Sequence, residues 1–166
     1  FIQQAAKSIE LQALTGMATI LINKKDYEKA LPLLEEATKV SPSYVYAFIS
    51  LGDLYYNTGK RDKAITSYER AITLEPDNKD KTGIYSRLGE CYYKNKKPDQ
   101  AIECYNLVLK ISPKNAVIIR QLGLVYEDKE EFNKAIQLYE SALKIDPAYK
   151  ELNRDIDRAY SRKYRY

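Results

Sequence analysis

The 166-residue sequence contains no histidine and no tryptophan, and it has only two cysteines. Histidine is the usual base of catalytic triads and a frequent zinc ligand, so its absence removes the commonest routes to hydrolysis and zinc binding. Cys91 and Cys104 do not form a Cys-x-x-Cys pair, which argues against a disulfide framework and a redox motif. We expect two buried thiols, as in a reducing compartment such as the cytoplasm, and no metal or other cofactor.

Glycine and proline are also scarce, at six residues each, and long apolar runs are missing. No glycine-rich phosphate loop follows a strand-like segment, and adjacent acidic pairs such as Glu35-Glu36 do not converge on one helical face. No apolar run approaches the roughly 18 residues of a membrane span, and the first residues lack the pattern of a signal peptide. We therefore expect a protein that is not an enzyme and does not span a membrane.

The sequence is rich in charge and in tyrosine. Charged residues make up 30% of the chain, hydrophobic residues make up 45%, and there are 16 tyrosines. The formal net charge is only +4, because acidic residues are interleaved with the lysines and arginines. This balance is typical of a solvated helical surface and does not favour nucleic acid as the partner.

A pattern of small and large residues recurs along the chain. Its clearest copy is Leu51-Gly52, Tyr55, Ala64, Tyr68, Ala71 and Pro76. It returns as Leu88-Gly89, Tyr92, Ala101, Tyr105, Val108 and Pro113, and again as Leu122-Gly123, Tyr126, Ala135, Tyr139, Ala142 and Pro147. A weaker copy is Met17-Ala18, Leu21, Ala30, Leu34, Ala37 and Pro42. Each copy predicts two antiparallel helices that approach closely at the small residues, while the large aromatic fills the space beside them.

With 34 residues between Gly89 and Gly123, the pattern resembles the tetratricopeptide repeat family over residues 11–149. The resemblance implies an all-α fold, a right-handed superhelix of antiparallel helix pairs with a C-terminal capping helix. It also implies a non-catalytic scaffold or adaptor that binds a partner protein or peptide. The expected divisions are a helical N-terminal extension (1–10), four repeats (11–44, 45–78, 82–115 and 116–149), an insertion (79–81) and the capping helix (150–166).

In the family, a second stripe on the first helix of each repeat lines the inner, concave groove. The residues here that follow this stripe, with neighbouring charges, are the predicted partner-binding residues Tyr46, Ile49, Asp53, Tyr56, Arg87, Glu90, Tyr93, Arg120, Leu124 and Arg154. Tyrosines offer rigid contact area, arginines bind carboxylates, and acidic side chains fix the register or exclude wrong partners. Tyr56 and Tyr93 have an alternative role, which is packing between neighbouring first helices.

One function of the family can be compared with the sequence directly. Members that bind the acidic tails of heat-shock chaperones use a carboxylate clamp of lysine, asparagine and arginine. The corresponding residues here, counted from the first repeat, are Thr15, Thr19, Ser50, Gly83 and Arg87. Only the last of these matches, so we expect a partner other than a carboxylate-clamp chaperone tail.

Two alternative functions remain open. Nucleic-acid binding is the first, because Arg154, Arg158 and Arg162 recur every four residues beside tyrosines of the C-terminal helix. The favoured interpretation of this row is a solvated cap with charge pairs at i,i+4 spacing. Self-assembly is the second alternative, because the apolar residues Phe1 and Ile2 at the start of the array can dock on another copy or on further repeats.

Overall fold

The computed structural model describes residues 1–165, and the regular elements in that range are nine α-helices. These are α1 (Ile2–Asn23), α2 (Tyr27–Val40), α3 (Val45–Asn57), α4 (Arg61–Leu74), α5 (Lys81–Lys94), α6 (Pro98–Ile111), α7 (Ala116–Asp128), α8 (Phe132–Ile145) and α9 (Glu151–Lys163). The odd-numbered helices up to α7 are the first helices of the repeats, and the even-numbered ones are the second helices. Over residues 1–165, no helix has both the length and the apolar character required to cross a membrane.

The same turn joins the first and second helices of every repeat. One residue in each turn has a left-handed backbone, and these residues are Lys25, Gly59, Lys96 and Glu130, with φ of 62°, 72°, 59° and 61°. The amide of this residue donates to the carbonyl three residues earlier, as Gly59 N does to Tyr56 O at 3.1 Å. A non-glycine residue in this conformation costs about 1 kcal/mol. Helix packing, and not a local glycine signal, therefore fixes the turn in three of the four repeats.

The internal contacts divide the chain into two units, residues 1–84 and 85–166. In the first unit, α2 packs against both α1 and α3, and α3 packs against α4. The centre of this unit is formed by Ala18, Ala30 and Leu34, all completely buried, together with Leu51 and Leu54 of α3. Small residues at the contact between α1 and α2 let their backbones approach, as the repeat pattern predicts.

In the second unit, α7 packs against α6 and α8, and α9 packs against α8. Ala135, Tyr139 and Ala142 of α8 form its core with Leu152 and Ala159 of α9. All five of these side chains are completely buried. The helix after the last repeat therefore covers the apolar face of α8, which is the role expected of a cap.

Glycine sets the distance between the first and second helices at the tyrosine contacts. A Cβ atom built on Gly123 would lie 2.5 Å from Cε1 of Tyr139, and one on Gly89 would lie 2.7 Å from Cε1 of Tyr105. Gly52 has the same relation to Tyr68. No side chain fits at these distances, so glycine is required because the aromatic ring of the facing helix occupies the Cβ position.

A short loop organised by Asn78 precedes α5. The Asn78 side chain is buried, donates to the Glu75 carboxylate at 2.8 Å, and accepts from the Asp80 amide at 2.8 Å. The helix α5 begins at Lys81, a residue that the sequence analysis assigns to the insertion. The additional residues are thus partly loop and partly the first turn of α5.

Candidate functional site

The first unit has an opening on the face where α1 and α3 lie side by side. Its volume is about 320 Å³. The residues that line it are Gln12, Thr15, Gly16, Thr19, Tyr44, Tyr46 and Ser50. Tyr46 is therefore the predicted site residue that borders this opening, and the other lining residues are short or uncharged.

The two threonine hydroxyl groups in this opening have a defined polarity. Thr15 Oγ1 donates to Leu11 O at 2.8 Å, and Thr19 Oγ1 donates to Thr15 O at 2.9 Å. Because each threonine has used its proton on a helix carbonyl, its oxygen presents lone pairs to the opening. The rings of Tyr44 and Tyr46 lie 5.7 Å apart at 59° beside these acceptors. Such a surface is suited to groups that donate hydrogen bonds.

A larger depression of about 510 Å³ lies on α3 and α4 of the same unit. Its floor is formed by Phe48, Leu51 and Tyr55. Two cations cover the rings: Lys63 Nζ lies 5.4 Å from the centre of the Tyr55 ring, and the Arg70 guanidinium lies 5.8 Å from that of Phe48. The aromatic faces of this depression are thus already occupied by side chains of the chain itself.

The remaining predicted residues of the first unit have structural contacts. Ile49 is buried, so its side chain supports the face from within. The carboxylate of Asp53 accepts a hydrogen bond of 2.6 Å from the hydroxyl of Tyr68. Tyr56 is half-buried. Tyr46, Asp53 and Tyr56 are all only partly buried, so each keeps some surface that a partner can contact.

In the second unit, Arg120 is committed to an internal ion pair. Its Nε donates to the buried carboxylate of Asp155 at 2.5 Å, and its guanidinium lies 5.6 Å from the centre of the Tyr149 ring. A second carboxylate from a partner would compete with this buried one. Arg120 thereby joins α7 to α9.

A buried carboxylate on α7 is the centre of a larger network. Glu127 is 1% exposed and accepts from Tyr139 at 2.8 Å, from Arg158 Nε and Nη2 at 2.8 Å each, and from Arg162 Nη1 at 3.0 Å. Burial alone would raise the pKa of Glu127, but the hydrogen bonds from Arg158, Tyr139 and Arg162 outweigh it and hold the pKa below its usual value. The arginine row of α9 was expected to pair along its own helix on a solvated face. Arg158 does pair with Asp155 of its own helix at 2.8 Å, at i,i+3 spacing, and both Arg158 and Arg162 also bind Glu127 of α7.

Tyr93 also joins two helices through a carboxylate, in this case α5 and α7. Its hydroxyl donates to the Asp128 carboxylate at 2.5 Å. Burial, followed by this hydrogen bond, raises the pKa of Tyr93 well above the usual value. The packing role that the sequence left open for Tyr93 is therefore present, although its ring is only half-buried.

These contacts share a spacing that the sequence analysis missed. Tyr93–Asp128, Arg120–Asp155 and Glu127–Arg162 each join residues that are 35 positions apart. In a 34-residue repeat, residues 34 positions apart are equivalent. A spacing of 35 therefore joins a residue of one first helix to the residue one position further along in the next first helix. Complementary charged or polar residues at i,i+35 were the signal that could have predicted the network.

The other predicted residues are more accessible. Arg87 and Arg154 are exposed, and Glu90 is half-buried and accepts from Lys94. Leu124 is half-buried and packs against the core of the second unit. Arg87 and Arg154 therefore keep their charged groups at the surface.

Comparisons with known proteins agree on one family. Models described as tetratricopeptide repeat or TPR repeat match residues 11–44, 52–96 and 81–148. Superkiller protein 3 of Schizosaccharomyces pombe is 30% identical over 64 residues, which are 39% of this chain and 5% of that protein. RNA polymerase-associated protein CTR9 of Caenorhabditis elegans is 35% identical over 66 residues, 39% of this chain and 6% of that protein. The chain thus spans only a small part of the length of these relatives.

Solved structures match over a larger share of both chains. The crystal structure of MamA protein superposes with a TM-score of 0.84 at 24% identity, covering 93% of this chain and 82% of that one. YrrB, described as a TPR protein with an unusual peptide-binding site, superposes with a TM-score of 0.79 at 16% identity, covering 92% and 78%. These likenesses show the fold, which is the all-α tetratricopeptide superhelix.

Proposed function

Because this chain belongs to the tetratricopeptide repeat family, we propose that it is a non-catalytic scaffold whose first helices hold a segment of a partner protein. The fold and the relatives support protein interaction as the general role. YrrB is described as having a peptide-binding site, which makes a peptide segment a reasonable form for the partner here.

The proposed contact site is the opening between α1 and α3. The observation that carries this proposal is its lining of short hydroxyl side chains beside two tyrosines. At the equivalent position in the second unit, Arg120 and Asp155 form an ion pair, whereas Thr15 and Ser50 leave space. Long side chains fill this position in the second unit, whereas short side chains leave room for a partner in the first unit.

The chemistry of the opening favours a segment that donates hydrogen bonds. The oxygens of Thr15 and Thr19 act as acceptors, since their protons are bonded to helix carbonyls. The ring of Tyr46 adds a face on which a cation can rest. Main-chain amides of an extended peptide, or a lysine side chain, suit these acceptors. Outside the opening, Tyr56 is proposed to add contact area in the first unit. Within the second unit, Tyr93 is proposed as a separate aromatic contact, and Arg87 and Arg154 are proposed to attract acidic groups.

A selection from a random peptide display library tests this proposal. The wild-type chain is compared with Ser50→Arg, which fills the opening, and with Thr66→Arg, which fills the larger depression on α3 and α4. Both positions are helical and at least partly exposed, so both variants are expected to fold, which circular dichroism checks. We expect the wild type and Thr66→Arg to enrich the same peptides, which carry lysine and few acidic residues.

Three other outcomes of the selection would move the site or contradict the proposal. Peptides that still bind Ser50→Arg but not Thr66→Arg would move the site to the larger depression. Enrichment of acidic peptides would overturn the donor chemistry assigned to the partner. If folded wild-type chain enriches no peptide sequence, the proposal of a peptide-binding scaffold is wrong.

A further inference from the structure

The helix α1 has a second apolar face, on the side away from its own core. Its buried residues Leu11, Thr15, Ala18 and Ile22 lie on one side. The opposite side carries an exposed stripe of Ile2, Ala6, Ile9, Ala13, Gly16 and Ile20, with Met17 at its edge. Ile2 is 88% exposed, Ile9 67%, and Ile20 56%. A continuous row of isoleucines at this exposure indicates a surface that another helix covers.

Other helices of this chain bury the corresponding residues. The residues to compare stand at positions 3, 7 and 10 of each repeat and of the cap, counted from its first residue. They are Ala47, Leu51 and Leu54 in α3, Ile118, Leu122 and Val125 in α7, and Leu152, Ile156 and Ala159 in α9. All nine are buried or partly buried, and the preceding second helix packs against each of these three helices. The same positions in α1 are Ala13, Met17 and Ile20, and all three are exposed. The open face of α1 is therefore built like an interface between helices.

The shape of α1 limits what can cover this face. In α3 and α7 the helix starts directly after a connector, residues 41–44 and 112–115. In α1 residues 2–10 are already helical before Leu11, which occupies the first position of the pattern. A second helix joined by the usual connector would meet these additional turns. The stripe also runs the length of a 22-residue helix, whereas every second helix has 14 residues.

The other end of the array does not complement this stripe. The surface of α9 that faces away from α8 carries Glu151, Arg154 and Asp157, all of which are exposed. Placing isoleucines against these charges would desolvate them without partners. Head-to-tail docking of two copies is therefore disfavoured.

The stripe complements itself. Successive residues of the stripe are separated by four, three, four, three and four positions. The spacing is therefore the same in both directions along the helix. We propose that a second copy of this chain covers the face, with the two α1 helices packed antiparallel about a two-fold axis. In this arrangement Ile2 faces Ile20 of the second copy, Ala6 faces Gly16, and Ile9 faces Ala13. The Ile2–Ile20 pairs then lie at the two ends of the contact, and the small residues between them let the helices approach closely.

The molar mass in solution tests this proposal on the full chain. Analytical ultracentrifugation is carried out over a range of concentrations up to tens of micromolar on wild type, Ile9→Lys and Gln4→Lys. Ile9 lies on the stripe and Gln4 lies off it, and both side chains are exposed in the same helix, so neither lysine disturbs the fold. We expect a dimer of the 19.2 kDa chain for wild type and Gln4→Lys, and a monomer for Ile9→Lys.

Cysteine cross-linking tests the orientation of the helices. Under mild oxidation, the Ile9→Cys/Ala13→Cys variant is expected to form a covalent dimer, and Ile2→Cys alone is not. Cys91 and Cys104 are buried and do not interfere. Cross-linking of Ile2→Cys alone would require parallel helices and would overturn the arrangement.

Three other results would overturn the proposal. These are a monomeric wild type, an assembly that keeps growing beyond the dimer, and a Gln4→Lys variant that dissociates as Ile9→Lys does. Gly16 borders both surfaces, but Ser50 lies on α3 and Ile9 does not line the opening, so Ser50→Arg tests the peptide site and Ile9→Lys tests the dimer.

Discussion

At the scale of single residues, the strongest constraint is Glu127. It is a carboxylate buried between α7, α8 and α9, and it is stable there because one tyrosine and two arginines supply hydrogen bonds. A buried charge is tolerated only when it is paired in this way. Arg158 and Arg162 remain partly exposed, so removing Glu127 leaves them able to reach water.

Glu127→Gln is expected to destabilise the protein by about 2 kcal/mol at neutral pH, because charged hydrogen bonds are replaced by weaker ones. The pKa of Glu127 is lowered in the folded state, so its stabilising effect is complete above the unfolded pKa of about 4.3 and is lost as the pH falls through the folded pKa. Urea unfolding at several pH values should show a gap between wild type and variant that narrows in acid. A gap of constant size would contradict the role assigned to this carboxylate.

At the scale of the helices, the first and second helix of a repeat are held together by a glycine against a tyrosine. Tyr139 is completely buried, and its hydroxyl is fixed by Glu127. The ring therefore cannot move aside when the facing residue becomes larger. The packing of α7 on α8 thus depends on the absence of one methyl group at Gly123.

Gly123→Ala is expected to lower the free energy of unfolding by about 1–3 kcal/mol, since the new Cβ would lie 2.5 Å from Tyr139 Cε1. The matched control is Gly16→Ala, where nothing lies within 4 Å of the new atom. Alanine is a better helix former than glycine by about 1 kcal/mol, so the control should be neutral or stabilising. Both values come from urea unfolding followed by circular dichroism in dilute solution. Equal effects at the two sites would show that the tyrosine contact is not responsible.

At the scale of the whole molecule, the distribution of charge determines which partners are compatible. The net charge is only +4, and two of the arginines are paired with the buried carboxylate of Glu127. A surface of this kind releases few counterions from a nucleic acid, so any such binding should be weak and sensitive to salt.

We expect single-stranded RNA to bind no more tightly than about 100 µM at physiological salt, in the weak range of non-specific association. Fluorescence anisotropy with a labelled oligonucleotide measures this binding, and Arg154→Glu serves as a variant of an exposed arginine on α9. Submicromolar binding that Arg154→Glu abolishes would instead support the nucleic-acid alternative.

The sequence alone determined the fold class, because small residues, tyrosines and prolines at a 34-residue period specify helix pairs and leave few other solutions. Gly123, Ala135 and Tyr139 could be assigned to packing from their spacing alone. The same spacing also allowed the carboxylate clamp to be set aside, since it requires particular residue types at particular positions.

Only the tertiary structure decided which of the remaining side chains are accessible. A helical stripe does not distinguish Tyr46, which borders an opening, from Ile49, which is buried, or Arg154, which is exposed, from Arg120, which is paired. For Arg120 the distinction depends on the buried carboxylate that Asp155 presents from α9, 35 residues away. Burial and ion pairing are properties of two helices in contact, so the local pattern of one helix does not contain them.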